Sequence, residues 1–287
     1  MTLTHCGVGD IPPSPSAQPP TGYMTLPVER WRAGTASPTL DQIAEEQAVA
    51  LVYNGISHTV MMATPLDLED FARGFSLTEG IIGQASELYD IEIYPQATGI
   101  EIQLTISSAR MAQLKTLRRN LTGRTGCGLC GVESLQQALR PVQAITAQAP
   151  PAAEAVQAAL AQLSQHQPLQ NLTGALHGAA WCNARGEIQL AREDVGRHNA
   201  LDKLIGALHL PPTDIAAGFV LVSSRASYEM VQKASRLQIP TLVAVSAPTT
   251  LALDYAKAAH INLIGFARCG QHTLYNNALN TLHEATP

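Results

Sequence analysis

The chain has 287 residues, 46% apolar and 5% aromatic, with a formal net charge of −5. It can bury a substantial core, as one large or two small domains, and no apolar run approaches the ~18 residues of a membrane span. Charge is uneven: residues 1–109 carry 3 bases against 13 acids, residues 110–287 carry 15 against 10, and 14 of the 18 bases are Arg. The planar fork of Arg suits phosphate and carboxylate, so the back half reads as the anion-binding half, with neither a nucleic-acid nor a membrane partner indicated.

The opening stretch, "MTLTHCGVGDIPPSPSAQPP", lacks the basic and apolar regions of a secretory signal. Its Pro and Ser content predicts a disordered tail over 1–22, and the absence of a signal predicts a cytoplasmic protein. Residues 23–121 read as a smaller α+β subdomain. In it, "AVALVYNGISHTVMM" is two strand-like runs joined by Asn54-Gly55, a hairpin signal. "TPLDLEDFARGFSLTEG" reads as a helix with Thr64 as N-cap, Pro65 at the first helical position and Gly80 as the stop. A second hairpin, "LYDIEIYPQATGIEIQLTI", precedes a helix capped by Ser108 and running through Asn120.

Residues 122–134, "TGRTGCGLCGVES", form a Gly/Cys loop, with a short helix from about Val132 to Leu139 stopped by Pro141. Residues 135–287 read as the larger domain. An Ala-rich helix lies within "APPAAEAVQAALAQLSQHQP". From Gly174 the pattern is strand, turn, strand, then the helix "GRHNALDKLIGALHL". The strands "GFVLVSS", "PTLVAVS" and "INLIGFA" follow, alternating with the helices "ASYEMVQKASRLQ" and "TLALDYAKAAH". Apolar strands alternating with helices predict an α/β class with right-handed crossovers and a mostly parallel sheet covered on both faces.

Three chemistries are open to Cys127 and Cys130. Structural zinc needs four ligands, and there is no second C-x-x-C or H-x-x-x-H to complete a set; no metal is expected. A thioredoxin-like pair would follow a strand directly and open a long helix, whereas this pair sits among glycines between helical segments. A persulfide carrier needs a thiolate on a mobile element that can visit two partners; Arg124 and the N-terminus of the next helix would favour the thiolate.

The anion-binding candidates lie at two helix starts and one strand end. There is no G-x-x-x-x-G-K-[ST] and no G-x-G-x-x-G. "EDVGRHNALDK" puts Gly196, Arg197, His198 and Asn199 where a helix opens, and "VLVSSRASYE" puts Ser223, Ser224, Arg225 and Ser227 at the carboxyl end of an apolar strand. Ligands of open α/β sheets bind at that edge. "GFARCGQ" brings Arg268 to the same edge from the last strand.

Together, "GCGLCG", "GRHNALDK", "SSRASYEMVQKA" and "GFARCGQHTLY", in this order, resemble the FdhD family from about residue 25 onward. The resemblance implies a sulfurtransferase required for active formate dehydrogenase, with a persulfide on Cys127 and Cys130 as its neighbour. Sulfur would come from a cysteine desulfurase and go to a molybdenum (or tungsten) cofactor bearing two molybdopterin guanine dinucleotides. A guanine-dinucleotide contact is implied at Phe266, Ala267, Arg268, Cys269, Gly270 and Gln271. GDP is the fragment ligand expected to bind there, with Arg197, His198, Ser224, Arg225 and Arg268 holding phosphates. A homodimer is also implied, as is a cytidine-deaminase-like core in the C-terminal domain. The deaminase zinc signature is absent: its ligand positions carry Arg197-His198-Asn199 and Arg225-Ala226-Ser227. A cofactor-binding chaperone without sulfur transfer, and a thiol–disulfide oxidoreductase, are the competing readings.

Overall fold

The computed structural model describes residues 21–121, 142–210 and 218–284. Residues 1–20 of the expected tail, the Gly/Cys loop, the short helix expected from about Val132 to Leu139 and the boundary between the two expected domains lie outside the described residues.

The chain begins with a two-stranded antiparallel ribbon, β1 (Tyr23–Arg32) and β2 (Thr35–Ala44). A four-stranded sheet follows, built from β3 (Gln47–Tyr53), β4 (Ile56–Ala63), β5 (Leu88–Gln96) and β6 (Gly99–Ile106) in the order β4-β3-β6-β5. Asn54 and Gly55 take the left-handed conformation, φ 47° and 78°, and close the β3–β4 hairpin as their sequence predicts. Helix α1 (Leu68–Thr78) lies between β4 and β5, and α2 (Ser108–Leu121) follows β6.

Two helix starts differ from expectation. Thr64 does not cap α1, which begins at Leu68 after Asp67. Thr64 is instead fully buried: its N–H donates to Asp194 at 3.0 Å, its Oγ1 accepts from the Val195 N–H, and its carbonyl accepts from Lys203. A charged long-range partner outcompetes the local cap. At α2, Ser107 rather than Ser108 accepts the N–H of Arg110.

The C-terminal part packs α3 (Ala153–Leu163) and α4 (Pro168–Thr173) before a six-stranded sheet. Its members are β7 (His177–Asn183), β8 (Ile188–Asp194), β9 (Gly218–Val222), β10 (Thr241–Ala244), β11 (Asn262–Arg268) and β12 (Gln271–Asn276). The order is β12-β11-β10-β9-β7-β8. Helices α5 (Arg197–Leu208), α6 (Tyr228–Arg236) and α7 (Thr250–Ala259) connect it, and α8 (Ala278–Glu284) ends the described chain.

The sheet is mixed, not mostly parallel. Only β9–β10 and β10–β11 pair parallel; β7–β8, β7–β9 and β11–β12 are antiparallel. The crossover helices α6 and α7 impose the parallel pairs, while tight turns after β7 and β11 can only return the chain antiparallel.

Two cores flank the six-stranded sheet. One, with Val156, Ala159, Phe219, Leu221 and Ala267, lies under α3. The other runs from Leu201 and Leu204 of α5 through Phe71 of α1 to Leu51 and Ile102 of the four-stranded sheet. Helices α1 and α5 cross at Gly74 and Gly206: a Cβ on Gly74 would strike the carbonyl of Asp202, and one on Gly206 would strike that of Asp70. Each mid-helix glycine costs up to about 1 kcal/mol of propensity, and contact between the backbones offsets it.

Candidate functional site

The carboxyl ends of β9, β10 and β11 and the start of β7 form one edge of the six-stranded sheet. Residues from the predicted motifs lie there in two groups.

The first group lies on the face covered by α5 and α6. Asp194, fully buried at the end of β8, organises it. Its carboxylate accepts the N–H of Gly196 at 2.7 Å, the N–H of Thr64 at 3.0 Å and the Asn199 amide at 3.0 Å, and it pairs with Lys203 at 2.7 Å. This fixes the first turn of α5 and hence Arg197 and His198. Asn199 is spent on Asp194 and on the carbonyl of Met62, so no side chain caps α5. Ser227 does not cap α6 either; its hydroxyl lies 3.4 Å from His198 Nε2. By contrast Thr249 caps α7 by accepting from the Ala252 N–H at 3.2 Å. The starts of α5 and α6 thus keep backbone N–H groups without a side-chain acceptor, the arrangement that favours an anion.

His198 Nε2 also lies 2.7 Å from Glu229 Oε2. That hydrogen bond holds the Glu229 carboxyl below the ordinary glutamate range. Half-buried His177, at the start of β7, is pushed down by burial and by the neighbouring Arg197 charge. Arg197 Nε is buried without a partner among the described residues. Such an orphaned donor calls for an acceptor that the described residues do not supply.

Ser224 and Arg225 part company in the loop after β9. Ser224 is buried and donates its hydroxyl to the carbonyl of Arg225 at 3.0 Å, whereas Arg225 is exposed. Of the two, Arg225 is the one positioned to meet a ligand.

The second group gathers where β11 turns back into β12, with its turn beside α3. At the end of β11, Phe266 takes a left-handed φ of 49° and donates its N–H to Ser246 at 3.1 Å, and the register with β12 shifts between Gly265 and Arg268. The bulge turns Phe266 outward. Its ring lies 6.4 Å from that of Tyr275, and the Arg268 guanidinium sits 6.0 Å from its centre. Ala267 points inward and is fully buried, so its side chain belongs to the core. Cys269, Gly270 and Gln271 form an exposed turn, held from α3 by Gln157, which accepts the Gly270 N–H at 2.8 Å. Arg268 and Cys269 border a cleft of about 310 Å³ whose far wall includes Leu160, Ser164 and Gln167. Gln167 is 5% exposed, and its amide nitrogen has no partner among the described residues.

Cys127 and Cys130 lie outside the described residues. Among the others, Cys182 is buried in β7, its thiol pushed up to about 12 by burial, and Cys269 is exposed. Among the described residues no cluster of three metal-ligating side chains occurs, and no helix is long and apolar enough to cross a membrane.

Sequence reasoning did not single out His177, Glu229, Gln157 or Gln167. Ser227 and Glu229 stood inside the recognised "SSRASYEMVQKA" run, but their approach to His198 depends on α5 and α6 starting side by side. The two glutamines lie on α3 and just before α4, with no motif to mark them.

Residues 44–281 match the model of the FdhD/NarQ family. The chain is 54% identical over 270 residues to the sulfur carrier protein FdhD of Cupriavidus necator, covering 94% of this chain and 93% of that one. It is 50% identical over 265 residues to the protein of the same description from Bordetella petrii, with 92% and 95% covered. The fold is similar to the crystal structure of a candidate formate dehydrogenase accessory protein from Desulfotalea psychrophila, with a TM-score of 0.69, 23% identity, and 88% and 96% of the two chains covered. Identity near one half over nearly the full length of both chains leaves no room for a different assignment: this chain belongs to the FdhD/NarQ family.

Proposed function

We propose that the protein is a sulfur carrier for formate dehydrogenase. It takes sulfur from a cysteine desulfurase and passes it to the bis(molybdopterin guanine dinucleotide) molybdenum cofactor before that cofactor enters the dehydrogenase. The observation that carries this reading is the near-full-length identity to proteins described as sulfur carriers, together with a C-x-x-C pair in this chain. In the first step the Cys127 thiolate attacks the terminal sulfur of the donor persulfide, the donor thiolate leaves, and Cys127 holds Cys–S–S⁻. Cys130 is its neighbour in a second thiol role.

The cofactor is the substrate. Its guanine-dinucleotide parts would be met by the exposed Phe266–Arg268 pair and the Cys269–Gln271 turn, with Arg197, His198 and Arg225 available to phosphates. The orphaned donors of Arg197 and Gln167 fit a ligand rich in acceptors. The succession of strand, strand, helix, strand, helix, strand, helix, strand supports the reading of the C-terminal core as cytidine-deaminase-like. The working form is a cytoplasmic homodimer.

Incubation with a cysteine desulfurase and cysteine, followed by peptide mass mapping, tests the reading. A gain of ~32 Da on Cys127 identifies the carrier. An intramolecular disulfide, or no change beside intact cofactor binding, would replace it with an oxidoreductase or a cofactor chaperone.

A further inference from the structure

We infer that Glu229 is a positioning residue for the ligand edge: it holds the His198 ring through Nε2, leaves Nδ1 to the ligand, and so strengthens anion binding although it is itself an anion. The inference rests on the reading that this edge holds nucleotide phosphates.

Glu229 Oε2 lies 2.7 Å from His198 Nε2, and Ser227 Oγ is 3.4 Å from the same nitrogen. Both partners come from the first turn of α6, so one ring nitrogen is held from the neighbouring helix. Nδ1 makes no hydrogen bond to a described residue, and the ring is 27% exposed. A carboxylate on one imidazole nitrogen selects the tautomer protonated there and fixes the ring plane, which sets what the other nitrogen offers.

The charges around the pair are Arg197 beside His198, His177 across from Arg197, Asp194 behind them, and Lys233 one turn along α6 from Glu229. Charge counting alone makes Glu229 an obstacle: a carboxylate beside an anion site repels the ligand. At 41% exposure that repulsion is screened. The cost of an unheld ring is not screened, because a free imidazole must be ordered anew when each ligand binds. The two effects have opposite signs, so deleting the carboxylate decides between them.

The test uses the full-length protein with Glu229→Gln, Glu229→Ala, His198→Ala and the double substitution. GDP binding is measured by calorimetry. Nitrogen NMR of the ligand-free protein reports the His198 tautomer at about pH 8, where an ordinary imidazole is neutral. Both Glu229 variants are expected to bind GDP about fivefold more weakly than the parent. In the His198→Ala background the same substitutions should cause no weakening, since the effect runs through the ring. The parent should show one tautomer, protonated at Nε2, and Glu229→Ala a mixture. GDP binding by the parent with unchanged or tighter binding by Glu229→Ala overturns the inference alone, as does equal weakening without His198 or an unchanged tautomer. A parent that does not bind GDP overturns the nucleotide reading, and the inference falls with it.

Discussion

Helices α5 and α6 carry charged pairs of two kinds. Lys203 of α5 pairs with Asp194 at 2.7 Å with both side chains fully buried, and Lys233 of α6 pairs with Asp202 of α5 at 3.0 Å, the two 8% and 1% exposed. At the first turns of the same helices His198 meets Glu229 with 27% and 41% exposure. All of these residues but Asp194 sit in the two runs "GRHNALDK" and "SSRASYEMVQKA", so their placement in a motif does not say which hold the fold and which meet a ligand. Burial does. Lys233 is shared among Asp202, Thr78 and Glu79, and although burial pulls its ammonium down, Asp202 and Glu79 outweigh that and hold it above the ordinary lysine value. Lys203 ties Asp194 to the carbonyl of Thr64, 139 residues away. These pairs fasten α1 and the residues after β4 to the six-stranded sheet. The His198–Glu229 pair joins only the starts of α5 and α6 and remains open to solvent.

The largest expected effect breaks the inner pair. Lys203→Ala leaves the Asp194 carboxylate buried and uncompensated, and should cost about 3–5 kcal/mol of unfolding free energy. His198→Ala should cost less than about 1 kcal/mol. Urea unfolding of both variants checks the contrast, and similar losses would dissolve the distinction between scaffold and ligand pairs. The opposite pattern is expected at the sheet end: Arg268→Ala should leave the unfolding midpoint unchanged while weakening GDP by about 1.5–3 kcal/mol, the value of a charge-assisted hydrogen bond. Calorimetric titration with GDP measures this. Equal GDP affinity would remove Arg268 from the ligand edge.

A further step sharpens the scaffold half. Gly74→Ala raises helix propensity by about 1 kcal/mol, yet its Cβ would strike the Asp202 carbonyl in α5. Backbone cannot yield as a side-chain end can, so the variant should be destabilised by about 1–3 kcal/mol. A stabilised Gly74→Ala protein would mean that α1 and α5 are free to separate.

What could be read from the sequence follows from how local each signal was. Asn54-Gly55 specifies its hairpin through two residues, and Pro151, Gly174 and Gly218 punctuate helices and strands within a few positions of where they begin or end. The ribbon β1–β2 escaped because Pro27 and Pro38 break the strand pattern; in a two-stranded sheet each proline has an unpaired side to face. The strand β12 escaped for a different reason: "GFARCGQ" reads as the end of the last strand, but Gly270 with φ 78° sends the chain back to pair with β11. Thr64 was read as a cap because a cap is a local fact, whereas its partners Asp194 and Lys203 lie 130 and 139 residues away. The ligand edge divided along the same line. Arg197, His198 and Arg268 were visible as residue types at strand and helix ends, but that Glu229 holds His198 from 31 residues away is a property of packing alone.

The smallest effect tests the outer pair by pH. The hydrogen bond from His198 holds Glu229 below the ordinary value of 4.5. A carboxyl whose folded pKa is depressed adds stability above its unfolded pKa and loses it as pH falls through the folded one. Glu229→Gln should therefore lower stability by less than about 1 kcal/mol at neutral pH, the discount being set by exposure. That difference should shrink on acidification below 4.5 and vanish once the parent's Glu229 is protonated too. Paired urea titrations of parent and variant, near neutrality and again in acid, measure both ends. The inner pair supplies the contrast, because Lys203→Ala should remain several kcal/mol less stable at neutral pH, where it removes the cation buried against Asp194. A Glu229→Gln difference that grows in acid, or that rivals the Lys203→Ala loss at neutrality, would place the His198–Glu229 pair among the bonds that hold the fold.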